Sequence, residues 1–225
     1  KVYPFNMNTI PWPSIHKLDK IGADETNPVL VPLIEDYLFD DMWYLDTDPA
    51  KPIFEKQADI IIEKQSKGIV DVGCRHGPVV DILYSKGYTD FCYMGFDTSV
   101  EPIAIANKTW NKYNNIEFRN TSWDNIDNIK VNFNVDMVIW SGVLLYRPQD
   151  HFELFKNITI DLYNSKNAII QEPHPAEKQK HWDRRLLLNT IVTDLDKYYE
   201  NFKIKDYEIS CEIFSGNRLV LDVCI

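Results

Sequence analysis

No run of apolar residues in this 225-residue chain reaches the roughly 18 that a membrane-crossing helix needs, and its opening residues hold no secretory apolar core. Positive charge is scarce: 24 Lys and Arg stand against 34 Asp and Glu, a formal net charge of −10. That balance disfavours a broad phosphate-tracking surface, because nucleic-acid binders need a basic stripe. Lys178-Gln179-Lys180 and Arg184-Arg185 are compact basic clusters that run against the trend. Cysteine is sparse as well. Cys74, Cys92, Cys211 and Cys224 show no C-x-x-C pairing and sit in or beside apolar strand patterns, which predicts buried, reduced thiols. Internal repeats and low-complexity tracts are missing. With 44% hydrophobic residues the chain can bury one good core, and the expectation is a soluble cytoplasmic protein.

What the chain does have is a strand that breaks into a glycine-punctuated turn, Gly68-Ile69-Val70-Asp71-Val72-Gly73-Cys74-Arg75-His76-Gly77-Pro78. Ile69, Val70 and Val72 read as a buried strand, Gly73 allows a sharp turn, and Gly77 allows close approach just before Pro78, which suits the first helical position. The helix start then offers free amides and a positive dipole end to an anionic or carboxylate-bearing ligand. A dinucleotide fingerprint, G-x-G-x-x-G, begun at Gly73 would need glycine where Arg75 and Pro78 stand. A second strand, Phe91 to Phe96, ends on Asp97 with Thr98 beside it, about 20 residues beyond Gly77, where doubly wound folds hold a ribose.

Asp71-x-Gly73-x-Arg75-x-Gly77 resembles the acidic-x-G-x-G-x-G loop of class I S-adenosylmethionine-dependent methyltransferases, departing only where Arg75 replaces the middle glycine. The resemblance continues in order from Gly68 to Ile225. Ile116 to Asp124 is similar to the third strand and adenine loop, in which Ser122 or Asp124 would accept from the exocyclic amine and Trp123 would cover the ring. Val135 to Tyr146 resembles the fourth strand and the segment lining the transfer cleft, Trp140 included. Asn167 to Pro173 reads as a fifth strand, and two strand-like runs, Ile204 to Phe214 and Arg218 to Ile225, resemble the antiparallel hairpin that ends this fold.

The resemblance implies a doubly wound α/β fold: a mainly parallel seven-stranded sheet with a C-terminal antiparallel hairpin and an N-terminal helical cap. Residues 66–225 would form the S-adenosylmethionine-binding domain and residues 1–65 a substrate-side cap, with helices near Val31 to Phe39 and Pro52 to Lys64. Asp40-Asp41-Met42-Trp43-Tyr44 in the cap offers acids and aromatic faces to a substrate. Periodicity predicts further helices over Pro78 to Lys86, from Ser99 to about Tyr113, and over Pro148 to Tyr163, the last packing Phe152, Phe155, Ile158 and Leu162 on the sheet. Trp182 to Leu188 reads as an amphipathic helix in which Arg184 or Arg185 could grip an anionic substrate group.

By the same resemblance Asp97 binds both ribose hydroxyls. Arg75, where the chain departs from that pattern, either weakens binding or pairs its guanidinium with the methionine carboxylate, and Asp71 then acts through the methionine amino group, directly or by water. The sulfonium methyl is already electrophilic, so the protein's task is to align a nucleophilic oxygen, nitrogen or carbon, with a base needed only for a hydroxyl or protonated amine. Three histidines, His151, His174 and His181, follow the fourth strand; His174, after Glu172-Pro173 at the expected carboxyl end of the fifth, is the favoured base, with Tyr146 and His181 in reserve. Glu172, His174 and His181 also form a conceivable metal set, but their spacing specifies no geometry and no metal is assigned. A valine at Gly77 is expected to obstruct the loop at little cost to the fold, provided φ there is negative. The expected activity is methylation of a small molecule such as a sugar or other metabolite, with S-adenosylhomocysteine as product. Methylation of a protein or nucleic acid, or a noncatalytic cofactor-binding domain of the same fold, remain the alternatives.

Overall fold

The alternation of short apolar runs with helical patterns builds a single sheet. A computed structural model describes residues 50–144, 150–173, 195–211 and 216–225. In chain order the elements are α1 (Lys51–Glu63), β1 (Gly68–Val72), α2 (Pro78–Ser85), β2 (Cys92–Asp97), α3 (Val100–Trp110), β3 (Ile116–Asn120), α4 (Ile126–Ile129) and β4 (Met137–Ser141). They are followed by α5 (His151–Phe155), which runs on as a π-helical stretch over Lys156–Leu162, then β5 (Asn167–Pro173), α6 (Asp196–Asn201), β6 (Lys203–Cys211) and β7 (Gly216–Cys224). The strand order is β3-β2-β1-β4-β5-β7-β6. Strands β1 to β5 pair in parallel, while β7 lies antiparallel between β5 and β6.

Side chains alternate across the strands, and each face buries its own apolar set. Ile69, Tyr93, Phe118, Ile139 and Ile169 pack on one face against Phe54, Ile60 and Ile61 of α1, Val79 and Leu83 of α2, and Ile103 and Ala106 of α3. Val70, Met94, Phe96, Val138, Trp140 and Ile170 pack on the other against Ile129, Phe155, Ile158 and Tyr198. Pro52 and Pro78 sit in the first turns of α1 and α2, where their missing N–H costs nothing. Because α1 reaches Arg75 through Phe54 near its start and Asp222 through Lys64 just past its end, it runs antiparallel to the parallel strands and begins at their carboxyl edge.

Two expectations need correction. The helix expected from Pro148 begins, among the described residues, at His151, and its second half widens into π-helix. Phe155 and Ile158 are nonetheless fully buried, with Phe152 and Leu162 partly so. The thiols are not uniformly buried: Cys74 is enclosed, Cys92 is half-buried and Cys224, the last residue of β7, is exposed. Among the described residues no helix is long and apolar enough to cross a membrane.

Candidate functional site

The chain runs outward along β1, β2 and β3 in one direction and then crosses back to place β4 on the other side of β1. That reversal opens a crevice at the carboxyl ends of β1 and β4, where doubly wound sheets hold ligands. The loop after β1 lies across it. Gly73, Arg75 and Gly77 all have positive φ, at 79°, 55° and 84°, so every second residue is left-handed. The Gly73 and Cys74 amides donate to Phe96 O at 2.9 and 3.3 Å, and the Gly77 amide donates to Cys74 O at 3.0 Å. Arg75 therefore adopts the backbone of the glycine it replaces, a conformation that costs an L-residue about 1 to 2 kcal/mol. Its side chain is buried, with the guanidinium 5.8 Å from the centre of the Phe54 ring on α1.

Asp97, the last residue of β2, is fastened to this loop. Its Oδ2 accepts from the Arg75 amide at 3.2 Å and its Oδ1 from the Ser99 amide at 2.8 Å. Its carbonyl accepts from the Thr121 amide at 3.0 Å and Asn120 Nδ2 at 3.1 Å. Each carboxylate oxygen has further acceptor capacity after these bonds, so the group can take ligand hydroxyls while staying held in place. Thr98 beside it is exposed.

Beneath the loop lies a buried polar pair. Tyr93 donates its hydroxyl to Asp71 Oδ2 at 2.8 Å, while Asp71 Oδ1 has no hydrogen-bond partner among the described residues. Burial pushes the Asp71 carboxyl up to about 7; the Tyr93 hydrogen bond opposes this shift and the Asp97 charge adds to it. Burial likewise drives the Cys74 thiol and Tyr93 phenol well up, and drives His76 well down with help from the Arg75 charge. Gly95 is glycine for a packing reason: a Cβ there would stand 2.7 Å from Cys74 Sγ.

In the loop after β3, Ser122 Oγ donates to Asp124 Oδ2 at 3.2 Å and accepts from the Asp124 amide at 3.3 Å, a turn that keeps both side chains near one spot. Trp123 packs against the second-face core, and its indole N–H has no partner among the described residues. Trp140 lies elsewhere. It is 0% exposed, donates its indole N–H to Thr159 Oγ1 at 3.0 Å and packs on Phe155, so its side chain belongs to the core on the α5 face.

On the other side of the crevice, Gly142 has φ 64° and donates its amide to Gln171 O at 2.8 Å, and the Leu144 amide donates to the buried Glu172 Oε1 at 3.1 Å. Val143 seats against Gly73, whose Cβ, if present, would stand 2.4 Å from Val143 Cγ2. Ser141 accepts from Nε2 of Gln57, a residue of α1 that is 0% exposed. His151 is enclosed, its Nδ1 3.0 Å from the Tyr198 hydroxyl. Tyr146, His174, His181, the Asp40–Tyr44 run and Arg184–Arg185 lie outside the described residues. Among those that are described, no group of three His, Cys, Asp or Glu side chains could hold a metal ion.

The structure thus brings Asp71, Gly73, Arg75, Gly77 and Asp97 together, keeps Thr98, Ser122, Trp123 and Asp124 on the neighbouring strand ends, and sets the Trp140 side chain apart. Sequence reasoning missed Gln57, Phe54, Tyr93 and Ser141. Gln57 carried a signal, being the one polar residue between Phe54 and Ala58, Ile60 and Ile61 on the apolar side of its helix.

No protein-family model matches this sequence, and no curated protein does. Solved structures do match. The methyltransferase domain of bacterial CtHen1 is 14% identical, with 79% of this chain and 100% of that chain covered and a TM-score of 0.59. The N-methyltransferase NodS from Bradyrhizobium japonicum, in complex with S-adenosyl-L-homocysteine, is 15% identical over 84% of this chain and 95% of its own, at 0.58. The bifunctional kinase-methyltransferase WbdD is 17% identical over 83% of this chain and 40% of its own, at 0.53. The chain therefore has the class I methyltransferase fold, with its C-terminal antiparallel hairpin.

Proposed function

We propose that this protein transfers a methyl group from S-adenosylmethionine to an oxygen or nitrogen of a small molecule, such as a sugar or other metabolite, releasing S-adenosylhomocysteine. The observation that carries the reading is Asp97: a carboxylate at the end of β2, both oxygens anchored by main-chain amides, beside a loop of alternating left-handed residues at the switch point of the sheet. That donor set fits an adenosyl amino acid better than a dinucleotide, whose pyrophosphate calls for glycine at Arg75. When bound, S-adenosylmethionine supplies a methyl group made electrophilic by the sulfonium.

The chain's own residues would do the rest. Asp97 accepts from both ribose hydroxyls, with Thr98 beside it. Gly73 and Gly77 let the main chain approach. Arg75 pairs with the methionine carboxylate and Asp71 acts through the methionine amino group. Ser122 or Asp124 accepts from the adenine amine while Trp123 shields the ring. Within residues 1–65, α1 packs on the sheet itself, so the part that would cap the acceptor side is the chain ahead of it, and a net charge of −10 favours a small acceptor over a nucleic acid. For a hydroxyl acceptor His174 would take the proton, with Tyr146 and His181 next in line.

Titration calorimetry tests the reading: S-adenosylmethionine and S-adenosylhomocysteine should both bind and NAD should not. Binding of NAD alone would overturn it. The base is tested separately, since His174→Ala should lower kcat by roughly 10²- to 10⁴-fold with cofactor affinity nearly intact. A variant retaining more than about a third of kcat across pH 6 to 9 removes His174 from the role.

A further inference from the structure

We infer that Ser141 is a ligand-binding hydroxyl that donates to the carboxylate at the aminoacyl end of the cofactor, and that Gln57 is the positioning residue that fixes its polarity. The inference rests on the S-adenosylmethionine reading above and deepens it.

Ser141 is the last residue of β4 and is half-buried at the carboxyl edge. Gln57 reaches it from the middle of α1, donating from Nε2 to Ser141 Oγ at 2.8 Å. A hydroxyl carries one proton, so an oxygen that accepts from an amide keeps that proton for another partner. No described residue accepts it. Gln57 is fully buried on a helix whose other buried residues, Phe54, Ala58, Ile60 and Ile61 among them, are apolar, and an aliphatic side chain there would avoid the cost of burying an amide. Phe54, three residues earlier on the same helical face, lies against the Arg75 guanidinium. One face of α1 thereby touches both sides of the crevice, the loop after β1 and the end of β4.

The sheet order places the two ends of the ligand. Asp97 ends β2, and Ser141 ends β4 two strands away across β1, a span of about 10 Å at the usual strand spacing. A ribose on Asp97 leaves the aminoacyl chain to cross the β1 loop toward Ser141. That chain ends in an ammonium and a carboxylate. A hydroxyl held as a donor matches the carboxylate and not the ammonium.

The probes are S-adenosylhomocysteine and 5′-methylthioadenosine, which shares the adenosine and lacks the aminoacyl end. Ser141→Ala should weaken S-adenosylhomocysteine about tenfold and leave 5′-methylthioadenosine within about twofold, the loss expected for one hydrogen bond to a charged group. Ser141→Thr should restore the preference. Gln57→Leu removes the amide that holds the serine oxygen as an acceptor and should lose part of the same preference; a thermal melt beside each titration shows that the variant is folded. If Ser141→Ala weakens both ligands alike or neither, or if folded Gln57→Leu keeps the full wild-type preference, the inference is wrong. Failure of the wild-type chain to bind either probe overturns the cofactor reading itself, and this inference with it.

Discussion

The loop after β1 is fastened through its own backbone amides: Gly73 and Cys74 donate to Phe96 O, Gly77 to Cys74 O, and Arg75 to the Asp97 carboxylate at the end of the next strand. The loop after β4 is fastened largely by side chains from elsewhere, with Gln57 on Ser141, Glu172 on the Leu144 amide and Val143 wedged against Gly73. The first loop should therefore yield mainly to changes of backbone conformation. The second should yield to changes in distant side chains.

The largest effect is expected from Gly77→Val. With φ at 84°, and a Cβ that would stand 2.5 Å from Phe118 Cζ, the substitution strains the backbone and overpacks the core together. A loss of about 3 kcal/mol or more should appear in denaturant unfolding. A fold spared by the valine was expected only for a negative φ, and the positive φ removes that condition; a loss under about 1 kcal/mol would contradict the geometry. In the second loop, Glu172→Ala removes the acceptor of the Leu144 amide from a buried site and should cost about 2 kcal/mol. Unchanged unfolding would show that the main chain, and not this carboxylate, holds the β4 loop.

Asp71 gives a pH signature to the floor of the first loop. Its folded pKa near 7 lies above the unfolded value, so between about pH 4 and 7 the folded chain holds a proton that the unfolded chain has released. This contribution to stability is complete at low pH and is lost as pH rises through that window. Asp71→Asn, which keeps an acceptor for Tyr93, should abolish the decline, so that the stability curves of the two proteins diverge as pH rises across that window. Parallel stability curves for both would refute the shift. The smallest effect separates Arg75's backbone from its side chain. Arg75→Ala and Arg75→Gly both remove the contact with Phe54, but only glycine relieves the left-handed strain, so Arg75→Gly should be the more stable by about 1 kcal/mol.

The same contrast explains what was legible before the structure. The β1 loop could be read because its bonds are local and its φ values call for glycine at Gly73 and Gly77, with Asp97 falling at the end of the next strand. The central strands were legible as short continuous apolar runs, buried on both faces, and the final hairpin from two strand-like runs that resemble the end of the family's fold. Arg75 hid its left-handed conformation because an L-residue type carries no mark of it. The Gln57–Ser141 bond joins residues 84 positions apart, a pairing that no local pattern encodes. Trp140 was readable in principle, since it shares the strand face of Val138 and so points into the core, but the family-like segment around it drew it to the cleft.

The central claim is that the crevice grips an adenosyl ribose through Asp97. A thermodynamic cycle tests it most directly: S-adenosylhomocysteine and its 2′,3′-dideoxyribose analogue titrated into wild-type protein and Asp97→Ala. Wild type should lose about 30- to 150-fold in affinity when the hydroxyls are removed, and the variant less than about threefold, giving a coupling of about 2 to 3 kcal/mol. Equal losses in the two proteins would contradict the account.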